Sequence, residues 1–458
     1  MATIAAEPER KATPKTDPSK QHPHVPHPRL PEKWTRTLEV TYWAAALYVL
    51  VLLGLGLLLW STRRERDSHV RVPDLVDFRQ DLPSIANLTG SPILSGNRAE
   101  ILQDGDEFFP ALFRDITAAK RSIHIESYVW WKGEICRQLA ALLSEKARHG
   151  VEVRLTLDAV GSNKGDNDLF EGMQKAGVKI SYFHPFRLGD IGLINNRTHR
   201  KIAVIDGRIG YVFGHGIAEE WTGHGQDKDH WRDTGVRLEG PVVNAVQGVF
   251  AENWVDQTSE VIAGEKYFPR LSEVGPVRAH VTAASPQGGV SKLELLLKLA
   301  IASAQKELLI QNPYFIPDEE LVGLLEAAVK RGVVVRIMLP GPVTDSSIVR
   351  HAGHRHYEEL LSHGIHIYEH QKTLLHQKTM VVDGEWSLVG STNLDDRSLD
   401  INDEASVGLI DPQVAASLSE AFEKDLASCR EVQLAGWRER GLWHRAIDRV
   451  SYLINEQL

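Results

Sequence analysis

This sequence of 458 residues contains the same succession of predicted strands and helices twice. Residues 116–120 and 301–305 each close a helical pattern that leads into an apolar strand. In each half a second helix then stops at a glycine, and a β-branched run starts at Val151 or Val333. Because strands alternate with helices in both halves, the pattern predicts two similar α/β domains built from βαβ units.

The βαβ pattern predicts mainly parallel sheets that are covered by helices. Glycine and proline cluster between 265 and 290, which is typical of a connection between domains. We therefore expect a first domain at 97–270 and a second at 271–458. The polar, proline-containing segment 61–96 is expected to be a linker before them.

The composition excludes several classes of protein. Hydrophobic residues make up 42% of the chain and charged residues 25%, which argues against collagen, a coiled coil or general disorder. Two cysteines cannot form a disulfide framework or a four-cysteine zinc site. The net charge of −9 disfavours a general nucleic-acid surface, so we expect no nucleic-acid partner.

The amino-terminal part predicts a membrane anchor. Residues 1–39 begin with a polar, proline-rich stretch without hydrophobic periodicity, and we expect a disordered tail there. Residues 40–60 are almost wholly apolar and long enough to form a transmembrane helix. More arginines follow this span than precede it, which favours cytoplasmic catalytic domains on the inner (cell) membrane.

Each half contains one copy of a motif in which His, Lys and Asp have the same spacing. Two copies at equivalent places are very improbable by chance. A histidine and a lysine two residues apart on a strand project from one face, so they can share one anion. The candidate residues are His199, Lys201 and Asp206 in the first half, and His376, Lys378 and Asp383 in the second.

Asp206-Gly207 and Asp383-Gly384 are hairpin signals between apolar runs. Folding about Asp383-Gly384 places residue 376 roughly opposite residue 391 on the return strand. Asn393 is then close enough to donate a hydrogen bond to the same phosphate.

The duplicated HxKxxxxD motif resembles that of the phospholipase D superfamily, and the chain is most similar to bacterial cardiolipin synthases. The resemblance covers about residues 97–458. It extends to 312–318, to 390–398 and to Trp231 and Asp233 in the first half. It implies two phospholipase D-like α/β sandwich domains, packed pseudo-symmetrically, behind the transmembrane helix.

The resemblance also implies one active site between the halves, without a metal or cofactor. One histidine attacks phosphorus and the other protonates the leaving alcohol, but the sequence does not decide which does which. Lys201, Lys378 and Asn393 are expected to hold the phosphoryl oxygens. Asp206 and Asp383 are expected to orient the motif or form turns, and Asp233 and Glu404 to hydrogen-bond the histidine of the opposite half.

The first half departs from the family pattern at Gly216, which stands where the second half has Asn393. Phosphate is then held asymmetrically, or His215 substitutes for the missing amide, or the first half is impaired. The sequence leaves these alternatives open.

The resemblance implies transfer of a phosphatidyl group between two phosphatidylglycerol molecules, which gives cardiolipin and glycerol. The expected partners are a phospholipid substrate and the bilayer. The alternatives are a lipid hydrolase, a nuclease on the same scaffold and an inactive membrane scaffold. Residues 437–447 carry basic and aromatic residues at near-helical spacing, which is typical of a packed terminal helix or of a helix that lies on lipid.

Overall fold

A computed structural model describes residues 32–62, 72–73, 75, 77–185, 195–285 and 290–452. Residues 1–31 of the tail predicted at 1–39, and residues 63–71 of the predicted linker, lie outside this description. The chain divides into two compact units, Met1–Ser61 and Thr62–Leu458.

The first unit contains helix α1, Glu32–Thr62, which starts before the predicted span and ends after it. Large apolar side chains are exposed along it from Val40 to Leu55. Among the residues that the structure describes, no helix has both the length and the apolar character needed to cross a bilayer. The transmembrane helix at 40–60 therefore stays a prediction.

The described part of the second unit forms one mixed sheet of fifteen strands. In chain order the strands are β1 Leu94–Gln103, β2 Ser122–Ser127, β3 Glu152–Asp158, β4 Lys179–Phe183, β5 Ile202–Ile205, β6 Ile209–Phe213, β7 Thr234–Glu239, β8 Val277–Ala284, β9 Glu307–Gln311, β10 Val334–Pro340, β11 His366–His370, β12 Thr379–Val382, β13 Trp386–Gly390, β14 Glu404–Ile410 and β15 Cys429–Glu431.

Helices cover this sheet. They are α2 Phe78–Leu88, α3 Asp104–Ala118, α4 Glu134–Arg148, α5 Asn167–Lys175, α6 Val243–Thr258, α7 Lys292–Ser303, α8 Glu319–Lys330, α9 Ser347–Gly353, α10 Tyr357–Ser362, α11 Pro412–Leu426, α12 Leu434–Arg438 and α13 Leu442–Tyr452. Short 3₁₀ turns occur at Glu219–Trp221 and His354–His356, and a π turn at Arg397–Ile401.

The strand order repeats about the centre of the sheet, where β1 pairs with β8. Outward from β1 the first half runs β7, β6, β5, β2, β3, β4. Outward from β8 the second half runs β14, β13, β12, β9, β10, β11 and ends with β15. The predicted duplication of elements is therefore confirmed, and the halves are related pseudo-symmetrically across β1 and β8.

The expectation of mainly parallel pairing is wrong. Only the pairs β2–β3, β3–β4, β9–β10 and β10–β11 are parallel among the described strand pairs. The helical crossovers produce these pairs, whereas the hairpins and the strands beside them add antiparallel neighbours. The class is α/β in content, with a mixed sheet.

Three large buried apolar clusters hold the second unit together. One lies under α3, α4 and α5, and another under α2, α7, α8 and α10. The third contains α6 and α11 and takes side chains from strands of both halves, such as Val212 of β6 and Val389 of β13. Since both halves bury apolar surface in this shared cluster, their relative position is fixed by packing.

The segment expected to be a linker, 61–96, contains a packed helix. Asp77 caps α2 by accepting a hydrogen bond from the Gln80 N–H at 2.9 Å. Phe78 packs against Trp386 of the second half with ring centroids 4.8 Å apart. Pro83 within the helix favoured the linker interpretation, but burial of the apolar face outweighs its local effect.

Candidate active site

Two hairpins carry the repeated motif, as predicted. β5 and β6 join at Asp206-Gly207, and β12 and β13 join at Asp383-Gly384. All four loop residues have positive φ, which a tight hairpin loop of this type requires. In each hairpin a third loop residue follows the Asp-Gly pair. Val382 therefore pairs with Trp386, whereas the predicted register would pair residue 382 with residue 385.

The motif aspartates hold these loops in place. The Asp206 carboxylate accepts hydrogen bonds from the backbone N–H groups of residues 120–122 at 2.6 to 3.0 Å. The Asp383 carboxylate does the same with residues 305–307 at 2.7 to 3.2 Å. Neither aspartate lines the cavity that contains the histidines. The structure thus places both aspartates in the hairpin loops, which is one of the two roles expected for them.

Each histidine lies just before its hairpin, in a segment that contacts the opposite half. The backbone N–H of His199 donates to the carbonyl of Asp403 at 2.8 Å, and that of His376 donates to the carbonyl of Arg232 at 2.8 Å. Asp403 and Arg232 each come directly before a carboxylate residue of their own half. These backbone contacts therefore bring each histidine beside a carboxylate from the other half.

Both histidines are paired with those carboxylates. His199 Nδ1 lies 2.8 Å from Glu404 Oε1, and His376 Nδ1 lies 2.7 Å from Asp233 Oδ2. All four residues are buried. With Nδ1 donating to the carboxylate, Nε2 of a neutral ring carries the lone pair. Each ring is thus held in the tautomer that suits a nucleophile or a base.

The two rings line one cavity of about 360 Å³. Lys201 and Asn393 line it as well, together with five aromatic residues and the carboxyl groups of Asp345 and Asp395. The aromatic residues are Tyr128, Trp131, Trp221, Trp231 and Tyr314. Imidazoles from both halves therefore share one space with basic, amide and aromatic groups.

Both motif lysines are buried, and Lys201 lines the cavity whereas Lys378 does not. Lys201 Nζ donates to the carbonyl of His199 at 2.9 Å, and Lys378 Nζ donates to that of His376 at 2.7 Å. Burial lowers the pKa of Lys201 to about 7, helped by the charge of Lys378, and lowers the pKa of Lys378 to about 8. Two crowded buried ammonium groups are stabilised by a bound anion, which fits a phosphate site.

Burial also lowers the pKa of both histidines well below the ordinary value, and the two lysine charges add to the effect. Both rings are therefore neutral at neutral pH. A neutral imidazole whose Nδ1 is held by a carboxylate is a competent nucleophile.

The carboxylates differ in their surroundings. Glu404 accepts hydrogen bonds from the hydroxyls of Ser391 and Ser398, and burial raises its pKa to about 7. Asp233 accepts from the indole N–H of Trp221 and from the backbone N–H of Thr234, both at 2.8 Å. The same orienting role is thus supported by two hydroxyls in one case and by an indole and a backbone amide in the other.

The Gly216 departure has a structural cause. A Cβ atom at this position would lie 2.7 to 3.0 Å from three ring atoms of Trp221, so the indole leaves no room for an asparagine. His215 does not line the cavity, and its ring stacks on Phe108 with centroids 4.3 Å apart. The alternative in which His215 replaces the missing amide is therefore not supported, and the amide is present in the second half alone.

Asn393 lines the cavity and is buried. Its side-chain oxygen has no hydrogen-bond partner among the residues that the structure describes. Because the oxygen and nitrogen of an amide exchange places by a simple flip, this group has hydrogen-bonding capacity left for a ligand.

Sequence reasoning missed several wall residues. Tyr128 and Tyr314 end equivalent strand segments, and the Tyr128 ring lies 5.2 Å from that of His199. Arg397 also lines the cavity, and it donates to the side-chain oxygen of Asn195 at 3.1 Å. The repeated strand ends and the run 390–398 were the available signals for these residues.

Two groups of side chains in the described part of the chain have the spacing of metal ligands. They are His351, His354 and Asp448, and Glu294, Asp318 and Glu320. Neither group includes a residue of the cavity wall.

The chain matches the family model described as "Cardiolipin synthase, PLD-like domain" over residues 112–221 and 297–426. It is 35% identical over 358 residues to the probable cardiolipin synthase YwiE of Bacillus subtilis (strain 168), which covers 78% of this chain and 71% of that protein. It is 33% identical over 398 residues to the cardiolipin synthase of Geobacillus sp. (strain WCH70), with 86% and 79% covered.

Solved structures show the same fold at low sequence identity. The phosphatidylserine synthase of Haemophilus influenzae Rd KW20 matches with a TM-score of 0.60 and 15% identity, over 83% of this chain and 100% of that chain. The polyphosphate kinase of Porphyromonas gingivalis matches with a TM-score of 0.51 and 13% identity, over 86% and 58%. Given the family match over both motif-bearing halves and the similarity to its curated relatives, this chain belongs to the cardiolipin synthase family of phospholipase D-like proteins.

Proposed function

We propose that this chain is a phosphatidyltransferase that makes cardiolipin and glycerol from two phosphatidylglycerol molecules. One observation carries the proposal: His199 and His376 come from different halves, line one cavity, and are each held at Nδ1 by a carboxylate of the opposite half. Such a pair suits a reaction in two steps through a covalent intermediate.

In the first step, Nε2 of one histidine attacks the phosphorus of the donor lipid, and a P–N bond forms. The P–O bond to glycerol breaks, and the second histidine, in its protonated form, gives its proton to the leaving oxygen. The negative phosphodiester offsets the lysine charges that lower the imidazole pKa, so substrate binding favours a proton on that second ring.

In the second step, the second histidine acts as a base on the free hydroxyl of another phosphatidylglycerol. The hydroxyl oxygen attacks phosphorus, the P–N bond breaks, and the first histidine is restored. Lys201, Lys378 and Asn393 hold the phosphoryl oxygens through both steps and stabilise the charge that develops there. Asp233 and Glu404 orient the rings and stabilise each imidazolium as it forms.

The test is a product analysis on the full chain in phosphatidylglycerol vesicles. We expect cardiolipin and glycerol in equal amounts. Phosphatidic acid as the sole lipid product would contradict transfer and identify a hydrolase, in which water takes the place of the second lipid. The matched control is the double variant His199→Ala/His376→Ala, which should form neither product.

We further propose that α1 anchors the chain in the cell (inner) membrane as a single-pass helix, with the second unit on the cytoplasmic side. The uncharged sequence at 40–60 and the exposed apolar side chains from Val40 to Leu55 support this proposal. The chain should resist alkaline extraction from membranes, and protease added outside sealed spheroplasts should leave the second unit intact. Release by alkali, or digestion from outside, would contradict the anchor or its orientation.

A further inference from the structure

The carboxy-terminal helix α13 exposes apolar side chains to solvent and buries polar ones against the protein. Its Asp448 and Ser451 are buried, whereas Trp443 is 76% exposed and Val450 is 65% exposed. Ala446, which lies between them on the same helical face, is exposed too. A terminal helix that only packs on the protein would bury its tryptophan and expose its aspartate.

Specific polar contacts fix this orientation. Asp448 accepts hydrogen bonds from the Nδ1 of His351 and from the Arg440 guanidinium, both at 2.8 Å. Tyr452 packs with its ring 4.6 Å from the guanidinium carbon of Arg355. Because the polar face is satisfied by the protein, rotation of the helix to cover Trp443 would leave a buried aspartate without partners.

The apolar face of α13 lies one helix away from the wall of the active-site cavity. α13 packs on α9, whose Val349 lines that cavity. Tyr452 of α13 and Tyr314 of the cavity wall pack against one small apolar cluster that contains Val349. A surface that contacts α13 is therefore close to the space in which the two histidines lie.

The exposed charges of α13 are basic. Arg449 is exposed and Arg445 is partly exposed, while the single acidic residue of the helix is the buried Asp448. Both arginines line a pocket that also contains Glu319, Glu326, Glu358 and Glu359. Arg449, three residues after Ala446, is the one that borders the apolar face. A basic side chain beside an exposed tryptophan and valine matches the negative charge and the apolar interior of an anionic lipid surface.

We propose that α13 is an interfacial helix that lies on an anionic bilayer. Trp443, Ala446 and Val450 enter the boundary between headgroups and acyl chains, and Arg449 binds lipid phosphate. This contact holds the active-site cavity at the level of the lipid headgroups. It does not depend on the reaction that the cavity catalyses.

The decisive experiment reads lipid contact and not turnover. The full chain with Val450→Cys carries an environment-sensitive fluorophore at this position, in vesicles of phosphatidylglycerol and brominated phosphatidylcholine. The matched control is Val261→Cys, since Val261 is also an exposed valine, at 73%. The unsubstituted chain, labelled in parallel, accounts for the native thiols of Cys136 and Cys429.

We expect bromine to quench the probe at position 450 at least twofold and to leave the probe at 261 unchanged. Vesicles of neutral lipid should reduce the quenching at 450, because Arg449 then loses its partner. Equal quenching at both positions, or none at 450, would overturn the proposal. A change in probe fluorescence that grows with protein concentration and does not depend on bromine would show that a second copy of the chain covers this face. That result would also overturn the proposal.

A second readout concerns catalysis and rests on the proposed function. For Trp443→Asn/Val450→Asn, the ratio of turnover on phosphatidylglycerol vesicles to turnover on monomeric short-chain phosphatidylglycerol should fall several-fold. An equal fall on both substrates would mean that α13 supports the fold of the site and not its contact with lipid. If the unsubstituted chain makes no cardiolipin, the proposed function fails, while the fluorescence result still decides whether α13 contacts lipid.

Discussion

The two histidine environments use the same backbone framework with different side chains. In each half a hairpin presents a histidine and a lysine, and a backbone contact with the other half brings a carboxylate to Nδ1. Counted from the loop aspartates, Gly214 corresponds to Ser391, Gly216 to Asn393 and Trp221 to Ser398. Orientation of the imidazoles is therefore retained in both halves, although the donors that support it have changed.

The difference teaches that orienting a histidine and holding a phosphate are separable tasks. The indole N–H of Trp221 replaces the hydroxyl of Ser398 as a donor to the carboxylate. The amide of Asn393 has no such replacement, because Trp221 occupies the space at Gly216. We therefore expect both halves to be essential for chemistry, and the second half to contribute more to phosphate binding.

The largest expected effect is the loss of either histidine. His199→Ala and His376→Ala should each reduce kcat by about 10⁴-fold or more, since residues that act as one catalytic unit fail together. The measurement is cardiolipin formation at saturating lipid. His224→Ala, whose exposed ring lies outside the cavity wall, is the control and should keep full activity.

Activity retained by His199→Ala but lost in His376→Ala would mean that the first half is vestigial. The expectation that both halves are essential for chemistry would then be wrong. Isolation of labelled protein during turnover, at a neutral to mildly alkaline pH where a P–N bond survives, sharpens the comparison instead, because the histidine that carries the phosphatidyl group is the nucleophile. Mapping the label to residue 199 or 376 assigns the two roles.

The next effect concerns the amide that only the second half has. Asn393→Ala should lower kcat by about 10²-fold, as expected when one donor to a developing charge is removed. Asn87→Ala, on the remote helix α2, is the control. If Asn393→Ala were as active as the parent chain, the phosphate would be held by the lysines alone, and the halves would be functionally equivalent.

A smaller effect tests the cause of the asymmetry. Gly216→Asn should destabilise the protein by about 2 kcal/mol, because its side chain collides with the Trp221 ring. Adding Trp221→Ser recreates the arrangement of the second half and removes the collision. We expect the pair to be less destabilising than the sum of the single changes by about 1 kcal/mol in urea unfolding. Simple additivity would contradict the steric explanation.

The features that could be predicted from the sequence were those with a local or repeated signal. The duplicated order of elements, the two aspartate-glycine hairpins and the histidine-lysine pairs all depend on short-range patterns. The carboxylates Asp233 and Glu404 came from the family resemblance, and the structure places both at Nδ1 of the opposite half's histidine.

Features set by packing between distant segments could not be predicted. α2 looked like a linker, because its apolar face packs on α7 and on Trp386, which lie more than two hundred and about three hundred residues later in the chain. The register predicted for the second hairpin was one residue off, since nothing local shows that Glu385 is inserted after Asp383-Gly384. The role of Trp221 was hidden for the same reason, because its partner Asp233 approaches it only in the folded chain.

The smallest effect is on the pH dependence of stability. It concerns two buried groups of the site, the carboxyl group of Glu404 and the amino group of Lys201. Burial raises the pKa of Glu404 to about 7, so the folded protein holds a proton that the unfolded chain has lost above its ordinary value. This contribution is present at low pH and disappears as the pH rises towards 7. Burial lowers the pKa of Lys201 to about 7, so the unfolded chain binds more protons above pH 7 and stability rises from there towards pH 10.

The two groups are compared through the difference between each variant and the parent chain, because the two histidines, whose pKa burial lowers, also change the free energy of unfolding below pH 7. Relative to the parent chain, Glu404→Gln should lose a contribution on the order of 1 kcal/mol that falls as the pH rises towards 7, and Lys201→Met should lose one of similar size that rises above pH 7. Urea unfolding between pH 5 and 10, followed by tryptophan fluorescence, measures both differences. Inorganic phosphate should raise the free energy of unfolding of the parent chain near pH 7, because the anion stabilises the charged lysines that burial disfavours. A profile that does not change with phosphate would show that this cavity is no anion site. The expected difference between the two halves in phosphate binding would then lose its basis.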